Sequence, residues 1–431
     1  MLRTIILALL KFFAKRIVRK YSPDVVGITG SIGKTSAKEA IAAVLSSKFN
    51  VRSNYKNYNN EIGLPLTIIG FDETPARSLI GWFKVFFRAV HLLVIRSRRY
   101  PDILVLEMGS DKPGDIKYLT AMAPCKVGVL TFIAPVHLEF FKTIKKIAQE
   151  KRIIISHLTR DDFAVVNYDC DLVRQNISAT TAEVITYGFD EGADLRATDV
   201  NMILDEATGW PTGLNFKVTY KGSTVPVFLA GVVADHLIPG ALAGLSVGLI
   251  MGINLVEGAQ ALNQIKPLPG HMRLLFGIKN TLIVDDTYNS SPEPTKSALL
   301  TMAKIKINPA AHRWAVLGDM LELGLETESA HREIGFKVVE AGMDHLVTVG
   351  EASKFTAAAA REAGLGEDRV TSFADSVSAA RFIQDRLKEG DIILVKGSQG
   401  VRMEKVVKEI MAEPLKAGEL LVRQNREWMN K

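Results

Sequence analysis

The sequence predicts an α/β fold: a phosphate-loop (P-loop) central domain with a mostly parallel sheet and a small antiparallel lobe, followed by a Rossmann-like α/β C-terminal domain. Three observations carry that reading. Short β-branched runs alternate with helical stretches along most of the 431 residues, the pattern of parallel strands covered on both faces. A Gly-rich turn, Thr29-Gly30-Ser31-Ile32-Gly33-Lys34-Thr35-Ser36, joins the first such run to the first long helical stretch. Residues 180–230 instead hold short alternating segments split by turn signals at Asp205–Gly209 and Lys221–Gly222, which reads as antiparallel pairing.

Residues 1–22 come before this pattern and read as a basic amphipathic helix. The apolar run Ile5–Leu10 is too short to span a membrane, which takes about 20 residues, and no small-residue cleavage site follows it. At helical spacing Leu2, Ile6, Leu9, Leu10, Phe13 and Ile17 share one face and Lys11, Lys15 and Arg19 oppose them. Arg16 and Lys20 fall on the apolar side and would have to snorkel. A second basic apolar segment, residues 74–101, carries Trp82, Phe83, Phe86 and Phe87. Residues 1–20 and 74–101 each hold six Lys or Arg and no acid, so with a net charge of +6 the rest of the chain is net −6. An acidic body with two basic segments argues against a general nucleic-acid-binding surface and for contact with a membrane surface or packing on the core. Only Cys125 and Cys170 are present, too few for a disulfide framework or a four-cysteine zinc site.

The remaining elements follow in order. Val25–Thr29, Ile103–Leu106, Val127–Ile133 and Ala164–Asn167 read as buried strands, with helices at Lys34–Ser47, Pro113–Met122 and Ile144–Leu158. Asn215–Tyr220 and Val225–Leu229 are the alternating strands, and an Ala/Gly/Leu-rich helix covers Pro239–Met251. Pro267–Gly270 marks a boundary. Beyond it strands are expected at Leu282–Asp285, Trp314–Leu317, His345–Val349 and Ile392–Val395. The expected domains are therefore 23–268 and 269–412, with 413–431 as a polar helical tail.

The Gly-rich turn has the chemistry of a triphosphate cradle. Glycines let the backbone aim N–H groups at phosphate, and the helix N-terminus adds partial positive charge. Lys34 can reach the β- and γ-phosphates and the Thr35 hydroxyl can ligate Mg²⁺. Ile28 stands where the general P-loop has its first glycine. The strand ending in Glu107 supplies a carboxylate of the kind that holds the metal in phosphate-loop enzymes.

That loop resembles the ATP loop of the Mur ligase family, which also lacks the first glycine. Asn59-Asn60-Glu61-Ile62-Gly63, Glu107-Met108-Gly109, His137-Leu138-Glu139, Asp285-Asp286-Thr287-Tyr288-Asn289, Asp319-Met320-Leu321-Glu322-Leu323-Gly324 and Lys396-Gly397-Ser398 match in family order. Several of them are most similar to the branch that adds D-alanyl-D-alanine to a UDP-N-acetylmuramoyl-peptide. The resemblance implies an ATP-dependent acid–D-amino-acid ligase of peptidoglycan precursor synthesis, acting through an acyl phosphate. It implies ATP and two Mg²⁺ ions, a cytoplasmic location (peripheral on the inner membrane face if the basic segments bind there) and a monomer. Gly30, Ser31, Gly33, Lys34, Thr35 and Ser36 would cradle the nucleotide, with Asp286, Asn289 and Arg273 at its far end. Thr35, Glu107, His137 and Lys151, the last as a carbamate, would serve the metals. Lys34, His137 and Lys151 would be catalytic, and Asn60, Asp319, Glu322, Lys396 and Ser398 would meet substrate.

The sequence departs from the family pattern in places. The loop begins at residue 29, so the N-terminal UDP-binding domain of the family is expected to be missing. His271, Gln399 and Gly240 replace the usual Arg, Arg and Asn, which leaves the ATP chemistry intact and bears on the substrate. A ligase for another carboxylate and amine, like folylpolyglutamate or cyanophycin synthetase, and a non-catalytic membrane-associated scaffold are the alternatives.

Overall fold

The computed structural model describes residues 2–54, 58–72, 75, 78–135, 138–265, 267–424 and 428. It divides into two compact units, one of Met1–Val200, Phe216–Phe228 and Leu237–Ile265, the other of Asn201–Asn215, Leu229–His236 and Lys266–Lys431.

In chain order the first unit opens with α1 (Leu2–Tyr21), β1 (Asp24–Thr29), α2 (Lys34–Ser46), β2 (Val51–Ser53), α3 (Gly63–Ile69), α4 (Leu79–Val94), β3 (Ile103–Glu107), α5 (Asp115–Thr120), β4 (Val127–Leu130), β5 (Phe163–Asn167) and β6 (Glu183–Gly188). β7 (Leu195–Leu204), β8 (Pro211–Tyr220) and β9 (Ser223–Ala230) complete a nine-stranded sheet of order β2-β3-β1-β4-β5-β6-β7-β8-β9. Ladders from β2 through β7 are parallel. β1, β3 and β4 are buried almost throughout, which is why they read as continuous apolar runs rather than alternating ones.

The expected antiparallel lobe is the far end of this same sheet, and the change of character comes later than residue 180. β6 is still parallel to β5 because Ile185 and Tyr187 are buried like the central strands. The β8–β9 turn places Lys221 and Gly222 at φ +46° and +81°, the geometry of a two-residue hairpin. The helix expected over Ile144–Leu158 is two, Ile144–Lys151 and Ile153–Ser156. The Ile238–Ile250 helix packs on α2 through Gly240, Gly244 and Gly248. A Cβ at these glycines would lie 3.0 Å from Ser36, 3.0 Å from Ala40 and 2.7 Å from Val44 respectively. A side chain at any of the three would press on α2, so glycine eases the close approach.

The two basic segments are helices packed on each other and on the core. Leu10, Ala14 and Ile17 of α1 and Val85, Ala89 and Leu92 of α4 are buried. This corrects the face read from sequence: Leu9 is exposed and Ala14 takes its place. Lys20 does not snorkel outward; its Nζ donates to Leu92 O and Leu93 O, satisfying carbonyls at the end of α4. No helix among the described residues is long and apolar enough to cross a membrane.

The second unit holds a six-stranded sheet built from β10 (Arg273–Phe276), β11 (Leu282–Asp286), β12 (Arg313–Gly318), β13 (His345–Val349), β14 (Val370–Phe373) and β15 (Ile392–Lys396), in the order β10-β11-β15-β12-β13-β14. β10 is antiparallel to β11 and the other ladders are parallel. Residues 413–424 are part of this unit's interior as well as its surface: Ala417 and Leu421 lie in its core.

Candidate active site

Sheet order assembles the first cluster. β1 and β3 are parallel neighbours with Ile28 opposite Glu107, so the carboxylate arrives beside the turn that follows β1. The turn runs from Thr29 to Lys34, and Gly33 caps α2 at φ +81°. At Gly30 a Cβ would lie 1.9 Å from Thr131 Oγ1, so nothing but glycine fits. The loop is pinned from the other side of β1. Ser31 N–H donates to Phe132 O at 2.6 Å, Ser31 Oγ to Ala134 O at 3.0 Å and Thr131 Oγ1 to Ile32 O at 2.7 Å. The Lys34 ammonium folds back onto Gly30 O and Ser31 O at 2.9 and 3.2 Å. Burial lowers its pKa, against the pull of Glu107 and Asp111.

Glu107 is buried and held at both carboxylate oxygens. Thr35 Oγ1 donates to one at 3.0 Å and Asn59 Nδ2 to the other at 3.0 Å. Its backbone is gripped too: Asn54 Oδ1 accepts from Glu107 N–H at 2.6 Å and Asn54 Nδ2 donates to Glu107 O at 3.3 Å. A hydroxyl and a carboxylate side by side form a hard-oxygen pair of the kind Mg²⁺ takes.

Lys151 ends the Ile144–Lys151 helix and is buried. Its Nζ donates to Ser110 Oγ at 3.2 Å. Burial, and after it the Lys34 charge, pull its pKa down to about 7 against Glu150 and Asp111. Glu150 next to it is spent on backbone, accepting from Gly114 N–H and Ile116 N–H at 2.8 Å each, where α5 begins. Gly30, Ser31, Lys34, Asn59, Ser110 and Lys151 line one cleft, of about 580 Å³ including its open mouth.

The second unit gathers its own polar cluster at the C-terminal ends of β11 and β15, where Asp286 lies opposite Lys396. Lys396 Nζ donates to Asp286 Oδ2 at 2.6 Å and to Asn289 O at 3.0 Å, and Met272 N–H donates to Asp286 Oδ1 at 3.2 Å. Asp285, one residue earlier, faces the interior and accepts from Thr287 Oγ1 at 2.6 Å and Gly270 N–H at 3.0 Å. Burial raises its pKa to about 6. The exposed Asn289 side chain and the stacked His271 and Tyr288 rings, centroids 4.4 Å apart, lie on the same loops.

The structure thus brings Gly30, Ser31, Gly33, Lys34, Thr35, Glu107 and Lys151 into one neighbourhood, and Asp286, Asn289 and Lys396 into another. His137 lies outside the described residues. Several expected substrate contacts have partners within the protein. Asn60 Oδ1 accepts from Ile62 N–H and Gly63 N–H at the start of α3, Asp319 Oδ1 accepts from Ser353 N–H at 2.7 Å, and Ser398 Oγ joins Leu321 N–H to Ser290 O. Arg273 donates to Leu420 O at 3.4 Å. Glu322 sits exposed at φ +65°. Asn59, Asn54, Ser110 and Arg423 escaped sequence reading. Arg423, placed in the polar tail, is half-buried and donates to Thr287 O at 2.9 Å and Glu404 Oε2 at 3.1 Å. Among the described residues no three His, Cys, Asp or Glu side chains cluster as a metal site.

Comparison with known proteins identifies a family. The family description "Mur ligase middle domain" matches residues 28–80 and 89–245, and "Mur ligase, glutamate ligase domain" matches 272–399. The UDP-N-acetylmuramoyl-tripeptide–D-alanyl-D-alanine ligase of Bacillus subtilis is 29% identical over 95% of this chain and 80% of its own length. The protein of the same name from Mycobacterium tuberculosis is 31% identical over 90% of this chain and 73% of its own. The crystal structure of the MurF ligase from Thermotoga maritima in complex with ADP superimposes with a TM-score of 0.76 at 27% identity, covering 94% of this chain and 83% of that one.

Proposed function

The chain belongs to the Mur ligase family, and we propose that it joins D-alanyl-D-alanine or a closely similar amine to the terminal carboxylate of a UDP-N-acetylmuramoyl-peptide, consuming ATP. One observation carries the reading: Lys34 and the buried Lys151 line one phosphate-loop cleft, and Asn59, which also lines it, donates to the Glu107 carboxylate that Thr35 shares, in a chain whose relatives bear that ligase's name.

The chemistry must bring together three kinds of like-charged or reactive group: a triphosphate, a carboxylate and an amine. The N–H groups of Gly33 to Thr35, at the N-terminus of α2, receive the β- and γ-phosphates, and Lys34 leaves the loop carbonyls to meet them. The substrate carboxylate oxygen then attacks the γ-phosphorus as the bond to the β–γ bridging oxygen breaks, giving ADP and an acyl phosphate. The amine attacks the acyl carbon, loses a proton and expels phosphate. Thr35 and Glu107 fit a nucleotide-side Mg²⁺, which would neutralise phosphate charge. Lys151 fits the second site as its carbamate. A lysine with a pKa near 7 keeps a neutral amine available to CO₂ at physiological pH, and the product exchanges a cation beside Lys34 for an anion. His137 enters this proposal by resemblance, as the other ligand of that second ion. Asp286, Asn289 and Arg273 are assigned to the nucleotide, and Asn60, Asp319, Glu322, Lys396 and Ser398 to the substrate. Dependence on ATP puts the reaction in the cytoplasm.

The test is phosphate release from ATP and Mg²⁺ with UDP-N-acetylmuramoyl-tripeptide, with and without D-alanyl-D-alanine. Release that requires the dipeptide is expected. Release with a different acid and amine only would move the assignment to another ligase of the family, and no turnover with any pair would leave a scaffold.

A further inference from the structure

We infer that α1 and α4 form a docking surface for an anionic lipid bilayer. Each helix buries one face in the first unit and leaves a second apolar face uncovered. On α4, Leu79, Ile80, Phe83, Phe87, Val90 and Val94 are exposed, between 46% and 76%, and at helical spacing they make one stripe opposite the buried Val85, Ala89 and Leu92. On α1, Ile5, Leu9 and Phe12 are exposed and recur one turn apart. With Ile95, these are ten of the 23 exposed large apolar side chains among the described residues, so the exposure is a patch and not the scattered kind every surface has.

The two stripes share one surface. Phe13 meets Phe86 at 5.9 Å, and Phe12 packs edge-on against Phe13 at 5.5 Å. The helical positions of the exposed residues flank that contact on both helices. The far ends are tied together as well: Lys20 and Tyr21 donate to carbonyls of α4, and Tyr21 Oη accepts from Ser97 N–H at 2.9 Å. The patch is therefore a rigid, preformed surface.

Charge selects the occupant. Lys15, Arg16, Arg19, Lys84, Arg96, Arg98 and Arg99 are exposed on these helices and on the turn after α4, while residues 1–20 and 78–101 contain no acid. An aromatic-rich apolar stripe edged with cations matches the acyl boundary and anionic headgroups of a bilayer. A second copy is a poor fit, because a two-fold contact would set this cationic edge against itself. The inference is independent of the ligase reading.

The experiment is flotation of the full chain with vesicles of phosphatidylcholine alone or mixed with phosphatidylglycerol, at low and high salt. Flotation with the anionic vesicles, falling as salt rises, is expected. The exposed pair Phe83→Ser/Phe87→Ser and the charge pair Lys15→Glu/Arg19→Glu should each cut the bound fraction about tenfold without moving the thermal unfolding midpoint. Absence of flotation with anionic vesicles, or flotation unchanged in both variants, overturns the proposal. So does a dimer in sedimentation velocity that Phe83→Ser/Phe87→Ser dissociates while the wild type ignores vesicles.

Discussion

Lys151 in the first unit and Lys396 in the second are equally buried, each 3% exposed, yet their surroundings differ completely. Lys396 meets a carboxylate at 2.6 Å and a backbone carbonyl. Lys151 meets a neutral hydroxyl, and burial without a counter-ion, helped by a second lysine nearby, depresses its pKa to about 7. Burial alone thus says little about what a lysine does. A buried lysine facing an acid secures two loops; one facing a hydroxyl and another cation is held ready to lose its proton and react.

The contrast yields four expectations, the largest first. Lys151→Ala should lower kcat by about 10²–10³-fold, the scale of losing a charge-stabilising group, without lowering stability in urea at pH 7, because it removes an amine whose charged form burial disfavours. Lys396→Met should do the reverse to stability. It strands Asp286 as a buried charge and should cost about 3–5 kcal/mol in urea unfolding, most of it recovered in Lys396→Met/Asp286→Leu. Collapse of the Lys151 variant and indifference of the Lys396 variant would invert the comparison.

The third expectation concerns pH. The folded pKa of Lys151 lies below its unfolded value of 10.5, so between about 7 and 10.5 the unfolded chain holds a proton that the folded chain has released. Stability should rise with pH across that window, with a slope approaching about 1.4 kcal/mol per pH unit. In CO₂-free buffer Lys151→Met should lack this slope. Added isotope-labelled bicarbonate should label the wild type at Lys151 and leave the variant unlabelled. The smallest effect belongs to Ser110→Ala, which removes one hydrogen bond and should cost about 0.5–1.5 kcal/mol in the same unfolding assay.

Where function depends on residues adjacent in sequence, it was legible. The strand–turn–helix of Thr29 to Ser36 and the carboxylate ending β3 announced themselves through glycine placement and a buried apolar run. What escaped depended on the sheet order. Asn59 reaches Glu107 while Asn60 caps α3, a difference of one position that no local pattern encodes. Ser110 matters because the Ile144–Lys151 helix delivers Lys151 to it. Arg423 sits in a stretch whose polarity suggested a free tail, and its partner Glu404 is fully buried. β2 was missed because it is three residues long and half-buried, too short for either hydrophobic period to register.

That short strand has a disproportionate effect. β2 is the edge of its sheet, and Asn54, just beyond its end, is the residue that grips the Glu107 backbone on both sides. Edge strands fray before a domain unfolds. Fraying here would loosen the carboxylate while the central ladders β1, β3 and β4 stay paired. On warming, catalytic power should therefore fade several degrees before the global transition, and reversibly, since a frayed edge re-forms without refolding the unit. That short edge strand would then set the upper working temperature of the site.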